Sequence, residues 1–430
     1  MKETVNRRSY LKIAGATGAV GLTSLAGCSG ETNGNGTTTG GTQSGTNSVL
    51  FGATVSLTGS LSTNGTLTKQ GYNLWQSFAN RNGGIDIGGE TYEVKLKLYD
   101  DQSKASTAQT QYQKLVTQDD VDLLLGPYSS GMTRSVGPIA ESNEIPMIAG
   151  GAASKEVYTQ GWDYVYGTLP LANTYMKNVV EMAAGFENPP ERVGIIHVNS
   201  LFPTGVAKGA EKAVKNTDAL EFVFRESYPA GTTSLSSLVN QAKNQNVDMV
   251  LGGTHTQTAI QFVKDMQSYA YSPDAVAFSV GPPTPDFRNA LGNAANYIYG
   301  VTMWLPGMDY KGPYIGTASN YATMFKEQFD TVPDYHAAST TADGLVFQHA
   351  MEKAGSYKAK EVEAQLDQIT VEDPLTTFYG PVGFSKGQLG TRGANLSKAA
   401  GVLQIQDGSP VLVYPGGQKP QYPMPAWDER

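Results

Sequence analysis

Apolar positions along the chain alternate between two spacings, and the alternation repeats. Residues 49–57 form an apolar run closed by Thr58-Gly59-Ser60, which predicts a buried strand. Gly71, Leu74, Trp75, Phe78 and Ala79 then recur at helical spacing over 67–80, and Asn82-Gly83-Gly84 stops the helix. Residues 92–99 alternate as a strand, a helix follows to about 118, and 121–125 reads as a buried strand ended by Gly126-Pro127. Residues 145–149 predict another strand after another helix. A second series begins near Leu169. Strands over 193–198, 221–228, 247–251 and 275–280 interleave with helices over 205–215, 235–245 and 259–269, and a further helix is expected over 340–354.

Repeated strand–helix crossovers build a parallel sheet with helices on both faces. Two such series predict an α/β chain with two doubly wound parallel-sheet lobes. In open sheets of this kind, ligands bind beyond the carboxyl ends of the strands, where loops and helix N-termini gather. The strand-to-helix loops are therefore the places to look for chemistry.

The start of the chain reads differently. Asn6-Arg7-Arg8-Ser9-Tyr10-Leu11-Lys12 fits the twin-arginine export pattern and precedes a small apolar stretch over 13–26. That stretch is shorter than the roughly 20 residues a membrane-spanning helix needs. Leu25-Ala26-Gly27-Cys28 matches a lipobox, so 1–27 is expected to be a signal peptide and Cys28 the lipidated residue. Residues 28–48 comprise that cysteine and a Gly, Thr and Asn linker, a flexible tether of roughly 25 Å mean span. An exported protein, lipid-anchored on the outer face of the cell membrane, is expected. Asn35, Asn64 and Asn395 each open a possible glycosylation triplet.

Composition narrows the function. The 430 residues carry a net charge of -8, and nucleic acid is not an expected partner, because phosphates need a basic surface. The one cysteine, Cys28, excludes an internal disulfide and a cysteine-rich metal site. His197, His255, His336 and His349 lack metal-ligand spacing, so no metal and no cofactor is expected. Neither a nucleophile elbow nor a second reactive cysteine is present, and the acid pairs Asp100-Asp101 and Asp119-Asp120 read as structural. An enzyme is not expected.

Several segments, taken in order, resemble the type I solute-binding proteins of ABC transporters, the leucine/isoleucine/valine-binding group. These are Gly52-Ala53-Thr54-Val55-Ser56-Leu57-Thr58-Gly59, Asn80-Arg81-Asn82-Gly83-Gly84-Ile85, Tyr99-Asp100-Asp101 and Leu125-Gly126-Pro127-Tyr128-Ser129-Ser130-Gly131. Residues 248–253 and Phe278-Ser279-Val280-Gly281-Pro282 extend the likeness, which covers about residues 49–415. The resemblance implies a three-strand hinge with crossings near 167–170, 302–306 and 379–384. It implies a first lobe of 49–168 plus 303–379 and a second of 169–302 plus 380–425. It also implies capture of a small polar solute, such as a branched-chain or other amino acid or an amide or urea-like compound, and delivery to ABC permease subunits. A ligand-sensing lipoprotein feeding a signal transducer is the alternative.

The strand-end loops and the resemblance together mark candidate binding residues. Ser129 and Ser130 end a strand and open a helix, where hydroxyls and free N–H groups can hold a carboxylate. The resemblance implies a carbonyl at Gly151 and a hydroxyl position at Ala153, with Ser154 adjacent. It implies a closing aromatic at Phe202, and contacts at Thr254, His255 and Asn64. One departure stands out. Amino-acid binders of this group carry an acid just after the Gly-Pro of residues 281–282, to pair with the ammonium; here Pro283, Thr284 and Pro285 intervene before Asp286. Either Asp286 or Asp343 takes that role, or the solute has no ammonium.

Overall fold

The computed structural model describes residues 47–430. The expected signal peptide, Cys28, the Asn35 triplet and nearly all of the linker lie outside the described residues. No helix among the described residues is long and apolar enough to cross a membrane.

The first lobe is a six-stranded sheet. Its strands are β1 (Ser48–Val55), β2 (Ile85–Ile87), β3 (Glu90–Asp100), β4 (Leu123–Leu125), β5 (Met147–Ile148) and β6 (Val165–Tyr166), in the order β2-β3-β1-β4-β5-β6. All neighbours are parallel except the β2–β3 hairpin. Helices α1 (Ser62–Arg81), α2 (Ala105–Thr117) and α3 (Ser130–Ser142) make the crossovers. The turn after β1 is pinned by two acids. Asp100 accepts the Leu57 N–H and the Thr58 hydroxyl, both at 2.9 Å. Asp101 accepts the hydroxyls of Thr54 (2.8 Å) and Ser56 (2.6 Å). A Cβ on Gly65 would stand 2.0 Å from the Ser56 carbonyl, so only glycine lets α1 begin this close to β1.

The chain then crosses to α4 (Lys177–Ala184) and the second lobe. There β7 (Arg192–Val198), α5 (Leu201–Lys215), β8 (Glu221–Tyr228), α6 (Ser236–Asn244), β9 (Met249–Gly253), α7 (Thr256–Ser268), β10 (Ala275–Phe278), α8 (Pro285–Leu291) and β11 (Tyr299–Thr302) follow in turn. The chain returns to the first lobe for α9 (Ala318–Phe329), α10 (Tyr335–Ala354) and α11 (Ala359–Leu366). Helix α10 lies against α1, where Gly344 admits the Trp75 indole and Gly71 admits Thr340.

Two short hairpins come next: β12 (Leu375–Thr377) with β13 (Gly380–Val382), and β14 (Phe384–Lys386) with β15 (Arg392–Asn395). The second hairpin stays beside the first sheet. Gly167 donates its N–H to the Gly393 carbonyl, and Arg392 pairs with Asp163, Glu363 and Asp367. Only at β16 (Gly401–Gln406) and β17 (Ser409–Tyr414) does the chain rejoin the second sheet, later than the expected 380. That sheet runs β17-β16-β11-β10-β9-β7-β8, with its last two entrants antiparallel.

One apolar cluster runs unbroken from Phe51 and Trp75 in the first lobe through Tyr175 and Phe202 to Ile195 and Met249 in the second. Separate clusters lie under α2 and α3 and under α6 and α7. The lobes are therefore closed on one another. Asn64 and Asn395, at 1% and 0% exposure, are inside this fold and closed to a glycan.

Candidate functional site

The tips of the two sheets meet around a small closed cavity of about 210 Å³ in all, of which about 10 Å³ admits the centre of a water molecule. From the first lobe come Tyr128 and Ser129, after β4, and Gly151 and Ala153, after β5. Helix α10 contributes Tyr335 and His336 from its first turn, and Leu169 lies on the first crossing. The second lobe supplies Tyr175, Phe202 and Val280.

Ser129 is the N-cap of α3 and makes no side-chain capping bond. The first N–H groups of a helix have no partner within it, and the aligned peptide dipoles favour an anion there. This end of α3 forms one wall of the cavity. Ser130 does a different job from the one expected. It is fully buried, and its Oγ accepts the N–H groups of Ala153 (2.9 Å) and Ser154 (3.0 Å), so it clamps the loop instead of facing the cavity. Ser154 is also fully buried away from the cavity lining, and its hydroxyl has no partner within the described residues. Gly151 sits flat on Tyr128, where a Cβ would approach Tyr128 Cα to 3.0 Å.

Asp343 holds the same loop from behind. Fully buried, it accepts the Gly150 N–H at 2.6 Å and the Thr168 hydroxyl at 2.8 Å. Burial pushes its carboxyl well above the usual range. It is a positioning residue and does not line the cavity.

Asn64, expected in the binding wall, instead joins the lobes. Its Oδ1 accepts the Thr256 hydroxyl at 3.1 Å, and its Nδ2 lies 3.4 Å from His336 Nε2. Asp334, the N-cap of α10, accepts both the His336 N–H (2.9 Å) and the ring at Nδ1 (2.6 Å). With Nδ1 protonated towards Asp334, Nε2 is the lone-pair nitrogen that faces the Asn64 amide. Further bonds cross at the cleft mouth, where Thr63 donates to Asp286 (2.6 Å) and Gln257 donates to Thr63 (3.1 Å).

His255 stands one layer behind the cavity. Its Nδ1 is 2.9 Å from the Tyr128 hydroxyl, and its ring lies 5.8 Å from that of Phe202. Burial lowers its pKa to about 4, so the ring is neutral near pH 7. Thr254 is structural, its hydroxyl donating to the Val280 carbonyl at 2.8 Å.

Of the residues expected from sequence to bind, Ser129, Gly151, Ala153 and Phe202 come together at the cavity. Asn64, Ser130, Ser154, Thr254 and His255 support it from outside. The cavity also holds Tyr128, Tyr175, Tyr335 and His336, which sequence reasoning missed. Tyr128 lies inside a motif from which only the serines were drawn. Tyr335 and His336 follow Asp334, a capping residue that marks a helix start five residues ahead of the expected 340.

The chain matches the Periplasmic binding protein family over residues 48–408. It is 25% identical over 384 residues to Leu/Ile/Val-binding protein homolog 8 of Brucella abortus, covering 85% of this chain and 90% of that one. Homolog 7 of Brucella suis is 24% identical over 323 residues, covering 70% and 76%. Among solved structures, a branched-chain amino acid transporter substrate binding protein from Streptococcus pneumoniae, in complex with isoleucine, aligns with a TM-score of 0.74 at 19% identity, covering 86% and 99%. An ABC transporter solute binding protein from R. palustris, in complex with benzoate, aligns at 0.72 and 16%, covering 88% and 97%. The two-sheet architecture, the closed interlobe cavity and a family match over most of the sequence lead to one assignment: the chain belongs to the Periplasmic binding protein family.

Proposed function

We propose that this solute-binding protein of the ABC importer class captures a small carboxylate-bearing solute between its lobes and hands it to a membrane permease. The observation that carries the reading is the uncapped start of α3, with Ser129 at its tip, forming one wall of a closed cavity between the lobes. A carboxylate there would accept N–H bonds that the helix leaves free, and charge-assisted bonds of this kind are worth roughly 1.5–3 kcal/mol each. The ligands of the two aligned structures, isoleucine and benzoate, share a carboxylate and little else. The cavity is small, as the closed lobes leave little space between their facing loops.

The test is a melting-temperature screen against monocarboxylates and their amide counterparts. A ligand at 100 times its Kd adds about 2.7 kcal/mol to stability. Carboxylates are expected to raise the melting temperature and the matched amides to leave it unchanged. Equal shifts from an acid and its amide would remove the anion-binding role of α3.

The same proposal places the protein outside the cell, exported by the twin-arginine route and held by acylated Cys28 through the linker of 28–48. Cys28→Ser is expected to release the protein into the medium or the soluble extracytoplasmic fraction. Retention of that variant in the membrane fraction would rule out the anchor.

A further inference from the structure

Two imidazoles, one from each lobe, enclose a single tyrosine ring beside the cavity. Tyr128 of the first lobe stands edge to face with His255 of the second, centroids 5.7 Å apart and planes at 77°. It meets His336 of its own lobe in the same way, at 5.4 Å and 72°. His255 is the N-cap of α7 and Thr256 its first residue, and both bond across the cleft. Nδ1 of His255 lies 2.9 Å from the Tyr128 hydroxyl, and the Thr256 hydroxyl donates to Asn64. When the lobes part, these bonds break and the His255 ring meets water. Its protonation is therefore tied to closure.

The closed surroundings suit only the neutral ring. With its lone pair on Nδ1, neutral His255 accepts the Tyr128 proton. A second proton would set a cation at the positive end of α7, whose first turn holds no acid. The groups facing the ring from other elements offer no counter-charge. Tyr128 keeps its proton, because burial pushes its pKa up. On α10, Asp334 already accepts the N–H groups of His336 and Ala337 and the His336 ring. Phe202 of α5 and Asn64 of α1 do not titrate. On α8, Asp286 is held by Thr63, and Arg288 lies against the carbonyls of Pro282, Pro283 and Thr284. Burial, with the His336 ring second, lowers the His255 pKa to about 4 in the closed protein. An imidazole in water titrates near ~6.5.

We propose that His255 is a proton-linked latch between the lobes: closure on a solute, in the capture reading on which this rests, requires the neutral ring, and acid drives the lobes apart. The closed state binds fewer protons at this ring than the open state. Closure therefore weakens as pH falls from about 6.5 and levels off below about 4, where both states carry the proton. A solute is held at neutral pH and let go in acid.

Calorimetric titration of the chain with L-isoleucine and with benzoate, at pH 7.5 and 5.5, tests the latch. Both carboxylates stay largely ionised across that range. Affinity is expected to fall about tenfold at the lower pH, with close to one proton released per solute bound, read from the heats in two buffers of different ionisation enthalpy. His255→Asn offers an acceptor near the Nδ1 position and a good N-cap, but cannot ionise, so the ratio between the two pH values should shrink to about twofold or less. His255→Gln replaces it if the asparagine variant does not fold. Binding with a flat pH profile, or a slope that persists in the variant, overturns the latch and leaves capture in place. If neither probe binds, capture of such carboxylates fails, and small-angle scattering of the chain alone reads the latch. A radius of gyration that grows from pH 7.5 to 5.5 in the parent but not in the variant supports it; an unchanged radius overturns it.

Discussion

Ser129→Asp is expected to abolish capture of carboxylate solutes, with Kd rising about 100-fold or more, while the melting temperature holds or climbs. Both effects have one cause. Ser129 caps a 13-residue helix without making a side-chain capping bond, so the N–H groups of the first turn await an anion. Aspartate is among the best N-cap residues and its charge complements the helix dipole, a combination worth about 1 kcal/mol to the fold. The carboxylate it brings occupies the seat that the ligand's carboxylate would take. It also repels a second anion about 4 Å away by ~1–4 kcal/mol, depending on screening. Titration calorimetry and thermal melting read the two effects separately. A Ser129→Asp protein that binds carboxylates within tenfold of the parent would show that the ligand's charge lies elsewhere. Ser129→Ala, which removes only a hydroxyl, should cost about tenfold.

The second large effect is on stability. Asp343→Leu strands the buried Gly150 N–H, leaves the Thr168 hydroxyl only the Ser339 carbonyl at 3.4 Å, and is expected to cost about 4 kcal/mol in chemical denaturation. Asp343→Asn keeps an acceptor for Gly150 and offers an amide to Thr168, whose hydroxyl can accept as well as donate. The two variants share one pH response, because neither side chain ionises. Burial raises the folded pKa of Asp343 well above the ordinary 3.8, so above that value the native state holds a proton that the unfolded chain has lost. Stability therefore falls as pH rises from about 4 towards the raised folded value. Asn cannot ionise. The stability of either variant relative to the parent should improve across that window, with the curve of Asp343→Leu set lower by the lost bonds. Denaturation midpoints from pH 4 to 8 check this, and an Asp343→Asn curve parallel to the parent's would mean that the carboxyl carries no unusual proton.

Much of the fold was legible because each β–α unit repeats the same local contrast. Residues 221–228 were expected as a strand and form β8 at those bounds, since the aromatic and β-branched run Phe222-Val223-Phe224 favours a strand and Pro229 closes it. Helix α10 was harder. Its opening residues Tyr335-His336-Ala337-Ala338-Ser339-Thr340 are all buried, so no polar face exposes the helical period, and the start was set five residues late. Two site residues were lost with that turn. The antiparallel hairpins β12–β15 escaped for the opposite reason: strands of three or four residues carry too little pattern.

Within the site, the contrast lies between Ser129 and Ser130. Neighbours in sequence and alike in chemistry, they point to different tasks, one towards the cavity and one into the loop it clamps.

By itself the sequence determined the two α/β halves and the strand-end loops where a ligand would sit, and it carries the export and lipidation motifs, because period, caps, glycine turns and short motifs are local properties of the chain. Only the tertiary structure decided which side chains share a cavity and which acids are already engaged. Those outcomes depend on bonds such as Asp343 to Gly150, 193 residues apart, and Thr256 to Asn64, 192 apart. A contact across that separation is set by how the lobes close, and nothing in the spacing of nearby residues encodes it.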